Sequence, residues 1–373
     1  MSKSKVRVAV VFGGRSSEHA ISCATASGVL GAIDRDRFEV VPIGISPRGE
    51  WVLAADDPER WALGSGGPGA GPVVGAERGV VSVPLGDGSA ALTVAEPGQV
   101  PRELASVDVV LPLLHGPFGE DGTIQGLLEL AGLRYVGSGV LASAVGMDKQ
   151  YMKAVLAEAG LPMGRFVTVT SRWWAAAPQE VASAAAELGW PVFVKPARAG
   201  SSVGVSKVEG PQELEQAIAH AQDSDPKVLI EAAVAGREIE CAVLGARDGG
   251  PPRVTVPGEI VMGSGEGFYD FQTKYFDPGA VDLAFPADVP AGVSEQAREL
   301  AAAAFEALGC EGLARVDFFY TDAGEVLVNE INTMPGFTPY SMYPMLWQRT
   351  GMTYTELISE LIDLALARPT GLR

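Results

Sequence analysis

The chain has 373 residues, 47% of them hydrophobic, a formal net charge of -18 and a pI near 4.6. That length exceeds one typical core and predicts two or three domains, and the apolar content excludes a disordered chain. The acidic balance excludes nucleic acid and anionic membrane as partners, since both need a basic face, so an anionic substrate must meet a local cationic pocket.

From the N-terminus, residues 6–12 form a continuous apolar run, the pattern of a buried parallel strand, and Gly13-Gly14 leads into a helix capped by Ser16 or Ser17. The same run is too short for a secretory segment, and no stretch is long enough to span a bilayer. The apolar helix at 22–33 is open to two uses, an intradomain core or a homodimer contact. Runs at 38–45 and 107–114 add buried strands, so residues 1–146 are expected to form an open, Rossmann-like α/β domain. Between them, the Gly/Pro-rich stretch at about 58–101, with short β-like runs at 80–83 and 91–94, reads as a surface embellishment. Cys23, Cys241 and Cys310 are odd in number and scattered among apolar neighbours, as reduced thiols of a cytoplasmic protein would be.

From residue 147 the pattern changes to α+β. A helix at 148–159, another at 178–188, strands at 191–195, 205–208 and 228–231 and a helix at 212–222 suggest one unit over 147–231. A strand at 239–244, a glycine-bearing stretch from Gly263, a helix at 294–308, a hairpin and a C-terminal helix from Thr353 suggest another over 232–373. Neither the G-x-G-x-x-G fingerprint nor a P-loop is present, so phosphate must be held another way.

The hairpin at 314–331 carries the densest chemistry. Both arms are rich in β-branched and aromatic residues, and Thr321-Asp322-Ala323-Gly324 supplies the turn. Pairing Tyr320 with Glu325 puts Arg315, Asp317, Glu330 and Asn332 on one face, and Val316, Phe318, Leu327 and Ile331 on the other. Two carboxylates and a carboxamide oxygen suit a hard divalent cation that completes its shell with substrate phosphates, which points to a nucleoside triphosphate. Thr333-Met334-Pro335-Gly336 follows as a rigid turn whose glycine lets a backbone N–H approach a ligand.

Upstream, Lys195 ends a buried strand and presents a compact charge for phosphate. The next residues, Ala197 to Gly204, combine hydroxyls and glycines as a phosphate-wrapping loop does. Glu231 beside Ala232-Ala233-Val234 suits an adenine amino group with apolar neighbours, and Glu238 suits ribose hydroxyls, although either glutamate alone reads more readily as a surface charge.

Lys149, Lys195, the glycine loop, Glu231, Glu238 and the Asp317/Glu330/Asn332 cluster together resemble the ATP-grasp fold, in which two α+β modules clamp ATP. The ordered motifs Gly13-Gly14-Arg15-Ser16-Ser17-Glu18-His19, His115-Gly116-Pro117-Phe118-Gly119-Glu120-Asp121-Gly122-Thr123, Lys195-Pro196, Gly200-Ser201-Ser202-Val203-Gly204, Phe268-Tyr269-Asp270, Lys274-Tyr275 and Asn329 to Gly336 resemble the D-alanine–D-alanine ligase family over the whole length. The resemblance implies that one D-alanine carboxylate takes the γ-phosphoryl group of ATP and that the amine of a second D-alanine displaces phosphate. It implies two Mg²⁺ or Mn²⁺ ions on Asp317, Glu330 and Asn332, and ATP contacts from Lys149, Lys195, Ser202, Glu231, Ala232, Val234, Glu238 and Lys274. Arg315 and the Gly336 N–H would hold the oxyanion, and Glu18 the first ammonium. Ser201 and Tyr275 would link Glu18 to a lid at about 263–280 and orient the attacking amine. His115, Ser341 and Met342 would bind substrate. Tyr275 favours a dipeptide over a D-lactate depsipeptide, and retention of Arg315 and the metal set argues against a non-catalytic nucleotide sensor. Ala20, Ala199 and Ala232 depart from residues that many relatives carry. The family implies a cytoplasmic enzyme of peptidoglycan precursor synthesis, commonly a homodimer.

Overall fold

The computed structural model describes residues 5–64, 71–75, 79–83, 91–95, 102–200, 203–262 and 281–371. Its first sheet has seven strands in the order Arg102–Ser106, Ala91–Ala95, Val80–Ser82, Trp51–Leu53, Phe38–Ile45, Val6–Gly13, Val109–Pro112. Val6–Gly13 runs parallel to Phe38–Ile45 and to Val109–Pro112. Its residues alternate between two cores, Val8, Val10 and Phe12 in one, Ala9 and Val11 in the other. Burial on both faces is why Val8 to Phe12 carry no polar residue.

Two expectations for this region need correction. The stretch at 58–101 is not only surface: Val80–Ser82 and Ala91–Ala95 extend the sheet, Trp61 packs edge-on against Phe12 at 4.9 Å, and Val74 and Leu92 are buried. A Cβ on Gly71 would lie 2.5 Å from the Ala20 Cβ, so this stretch leaves no room for a longer side chain at position 20. The first helix, His19–Ala32, has Glu18 rather than a serine at its N-cap, while Ser16 Oγ donates to the His115 carbonyl at 2.7 Å. Cys23, Ala26, Val29 and Leu30 of that helix sit in the chain's own core, as the intradomain use expects.

A second, antiparallel sheet of order Ser206–Val208, Val192–Pro196, Lys227–Ala232, Phe166–Thr170 is covered by helices Pro178–Leu188 and Leu214–Gln222, whose Val181, Ala185, Leu214 and Ile218 fill its core. The third sheet, Val281–Ala284, Gly258–Met262, Gly236–Leu244, Leu313–Thr321, Val326–Asn332, with Arg253–Val254 beside it, packs one face on helices Lys149–Glu158 and Ala291–Ala307. Tyr354–Ala367, opened by a Thr353/Glu356 capping box, returns to the first sheet and shares the core of Val8, Val10 and Phe12. Helices Thr123–Leu130 and Val140–Met147 were not anticipated, although Ile124, Leu127 and Leu128 carry the i, i+3, i+4 spacing of a helix; the second is built mostly of small residues that mark no period.

Candidate functional site

The hairpin closes differently from the expectation. Thr321 N donates to the Glu325 carbonyl at 2.9 Å, leaving a three-residue loop with Gly324 at φ 86°. A type I turn followed by a left-handed glycine accounts for this closure. Tyr320 therefore pairs with Val326, and the register shifts at Asp317/Phe318, so that Phe318 pairs with Val328 and Asp317 with Glu330. Asn329 is the extra residue of a β-bulge. The bulge reverses the alternation along the strand: Val326, Val328 and Ile331 enter the core, and Leu327 pairs with Phe319 rather than lying with Val316 and Phe318. Arg315, Asp317, Glu330 and Asn332 still converge, because Arg315 pairs with Asn332 and Asp317 with Glu330.

These four groups line a cleft of about 590 Å³ between the second and third sheets, together with Lys149, Lys195, Glu231, Ala232, Val234 and Glu238. Ser201, Ser202, Lys274, Tyr275 and the stretch 263–280 lie outside the described residues. Glu18, His115, Gly336, Ser341 and Met342 are not among the lining residues. Glu18 nevertheless reaches the glycine loop, since a Cβ on Gly200 would lie 3.5 Å from its Oε2. His115 is buried against Thr25, with 3.1 Å between Thr25 Oγ1 and Nε2, and a backbone hydrogen bond joins it to Met334. Burial lowers its pKa, opposed by Glu18 and Met334. Ser341 Oγ lies 2.8 Å from Thr338 Oγ1 and heads the helix Met342–Arg349.

Arg315 is buried between Asp317, at 2.7 Å, and Glu240, at 2.9 Å. Burial works against its charge, but the two carboxylates hold the guanidinium well above its ordinary range. Lys149 Nζ lies 3.5 Å from Glu330 Oε2 and donates to the Ala199 carbonyl at 2.8 Å, joining the glycine loop to the carboxylate cluster. Lys195 and Lys153 flank Glu231 at 2.6 and 3.3 Å. Burial disfavours all three charges; the two ammoniums still keep Glu231 below the usual carboxylate range, and Glu231 and Glu330 raise Lys195. Lys153, the more distant partner, is left below its ordinary range by burial.

Lys153, Glu240 and Glu120 were missed. Spacing could have found the first two: Lys153 is one helical turn from Lys149, and Glu240 shares a strand face with Glu238. Glu120 lines the cleft and accepts from Gly116 N at 2.6 Å. Burial and then Glu18 raise its pKa from 4.5 to about 8, with Glu330 adding and Gly116 N–H and Lys149 opposing. A carboxyl that keeps its proton to higher pH when folded subtracts stability as pH climbs from 4.5 towards 8. Glu120→Gln is therefore expected to gain melting temperature over the parent, and to gain more at pH 8 than at pH 5 in paired fluorimetric melts. An equal difference at both pH values would contradict the raised pKa.

Asp317, Glu330 and Asn332 offer oxygen donors on adjacent strand positions, a set that fits Mg²⁺ or Mn²⁺ and leaves coordination positions for phosphate oxygens and water. Among the described residues no three His, Cys, Asp or Glu side chains converge into an all-protein metal cage. A site completed by its substrate has that composition.

A family model described as D-ala D-ala ligase N-terminus matches residues 7–138, and one described as D-ala D-ala ligase C-terminus matches 155–363. A D-alanine–D-alanine ligase of Arthrobacter sp. (strain FB24) is 58% identical over 370 residues, covering 99% of this chain and 96% of the relative. One from Kineococcus radiotolerans is 56% identical, with 100% of both chains covered. Among solved structures, the VanG D-Ala:D-Ser ligase of Enterococcus faecalis superposes with a TM-score of 0.83 at 36% identity, over 97% of this chain and 100% of the other.

Proposed function

The chain belongs to the D-alanine–D-alanine ligase family, and from that premise we propose that it joins two D-alanine molecules at the expense of ATP in peptidoglycan precursor synthesis. The observation that carries the reading is the convergence of Lys149, Lys195 and Arg315 on Asp317, Glu330 and Asn332 in one cleft. Cations there would meet a triphosphate, and Asp317, Glu330 and Asn332 beside them would hold two Mg²⁺ or Mn²⁺ ions, which would supply charge neutralisation for phosphoryl transfer.

The proposed division of labour places ATP between units 147–231 and 232–373, with residues 1–146 supplying the first amino-acid subsite. Lys149, Lys195, Ser202 and Lys274 hold phosphates, Glu231, Ala232 and Val234 the base, and Glu238 the ribose. Glu18 and His115 bind the first D-alanine, whose carboxylate oxygen attacks the γ-phosphorus, giving ADP and an acyl phosphate. Ser201 and Tyr275 orient the amine of the second D-alanine, Ser341 and Met342 its carboxylate. That nitrogen attacks the acyl carbon, loses a proton, and expels phosphate. Arg315 and Gly336 N–H stabilise the tetrahedral oxyanion. A lid over 263–280 excludes water from the acyl phosphate.

Identities of 58% and 56% to D-alanine–D-alanine ligases over nearly the whole chain support D-alanine as the second substrate. Neither a D-lactate ligase nor a non-catalytic sensor is favoured. No helix among the described residues is long and apolar enough to cross a membrane; the use of ATP supports a cytoplasmic site of action, and the family resemblance supports a homodimer. The test is phosphate release from ATP and Mg²⁺ with D-alanine, L-alanine, or D-alanine plus D-serine or D-lactate, with products weighed by mass spectrometry. D-alanine-dependent release giving D-alanyl-D-alanine is expected. Release without D-alanine dependence would refute the substrate assignment.

A further inference from the structure

A bulge leaves the extra residue outside the regular ladder, and a buried carbonyl there needs a donor from elsewhere. In this chain the donor to the Asn329 carbonyl is the ammonium of Lys153, at 3.3 Å. Lys153 is 2% exposed, lies over the Phe166 ring at 5.5 Å, and forms its ion pair with Glu231. Its neighbours grip the same strand on both sides of the bulge: Val328 N donates to the Pro162 carbonyl at 2.8 Å, and Ile331 N to Met152 Sδ at 3.4 Å. One turn before it, Lys149 meets Glu330 itself.

We propose that Lys153 is a positioning residue, tying the backbone of the Asn329 bulge to the Glu231 carboxylate and thereby holding Glu330 opposite Asp317 for metal binding. The inference rests on the metal reading of Asp317, Glu330 and Asn332 given above. Without the bulge, Glu330 could not share a face with Asp317 while Val326 and Val328 enter the core, so whatever stabilises the bulge controls the metal cluster. Lys153 touches neither the metal nor the phosphates. Because it also holds Glu231, the base-binding and metal-binding ends of the cleft are mechanically one object.

The test uses the full chain with Lys153→Met and Lys153→Arg. Mn²⁺ affinity in the presence of a non-hydrolysable ATP analogue is read by electron paramagnetic resonance, alongside kcat, both KM values and melting temperature. Residues that orient metal ligands are worth about 10–100-fold in metal affinity, so Lys153→Met is expected to weaken Mn²⁺ binding by roughly tenfold or more. Its KM for D-alanine should stay within about twofold of the parent, and Lys153→Arg should recover part of the Mn²⁺ affinity. If Lys153→Met fails to fold, Lys153→Met/Glu231→Gln removes the buried carboxylate charge that would keep Lys195 as its one ammonium partner of the two, and the same loss of Mn²⁺ affinity is expected beside Glu231→Gln alone. Unchanged Mn²⁺ affinity in a folded variant, whatever its melting temperature, overturns the inference. A parent that turns over D-alanine separates that failure from failure of the ligase reading, whereas a parent that binds no Mn²⁺ with nucleotide overturns both.

Discussion

Glu330→Gln is expected to abolish ligation, lowering kcat by about 10³-fold or more, while the protein melts within a few degrees of the parent. The substitution keeps shape and one carbonyl oxygen but removes a negative charge from the cluster proposed to face ATP. A loss of that size corresponds to about 4 kcal/mol of transition-state stabilisation, in keeping with a charge whose role is to hold the cations that neutralise a transferring phosphoryl group. Its fold cost should be small, because the Glu330 side chain keeps 28% exposure and meets Lys149 only at 3.5 Å. Phosphate release and thermal melts on the same preparation check both halves. Full residual activity in Glu330→Gln would contradict the metal assignment, and collapse of the fold would move Glu330 from chemistry to architecture.

The second large effect is expected at Arg315, and there fold and function should fail together. The guanidinium side chain is 7% exposed, and the Glu240 and Asp317 side chains beside it are 5% and 13% exposed. Arg315→Met strands two carboxylates in a poorly solvated site, which costs about 3–5 kcal/mol of stability for a broken buried pair. Losing the proposed oxyanion donor should also reduce kcat by about 10²–10³-fold. Arg315→Lys separates the two effects. A lysine keeps the charge between Glu240 and Asp317 but not the two-pronged contact to Asp317, with Nε to Oδ1 and Nη2 to Oδ2 both at 2.7 Å. It should recover much of the stability and little of the rate, as measured by urea unfolding and steady-state kinetics. A folded lysine variant with kcat within about threefold of the parent would exclude Arg315 from the reaction.

Much of the site was legible before any coordinates. Lys195, Glu231, Arg315, Asp317, Glu330 and Asn332, picked from strand ends and side-chain alternation, line one cleft with Glu238 and with Lys149, which the family resemblance supplied. The helix Pro178–Leu188 and the strand Phe38–Ile45 were readable to the residue, because a proline at the first helical position, a closing glycine and a mostly apolar, β-branched run are local signals. The hairpin shows where such reading stops. Its polar face was anticipated by a straight alternation, yet the observed face depends on the Gly324 loop and the Asn329 bulge. Two register differences compensated, so four polar residues were grouped together while Leu327 was assigned to the opposite side.

By itself, then, the sequence determined the local elements and the chemical inventory: cations, carboxylates, glycine turns and the order of the motifs. Those depend on residues within a turn or two of one another, where propensity and period act directly. The tertiary structure alone decided which inventory members meet. Lys153 and Asn329 are 176 residues apart and share a hydrogen bond; the 58–101 stretch joins the first sheet's core; and the C-terminal helix returns to Val8, Val10 and Phe12. Such contacts are chosen by the packing of whole faces and by the need to satisfy every buried polar group, conditions that no local window of residues contains.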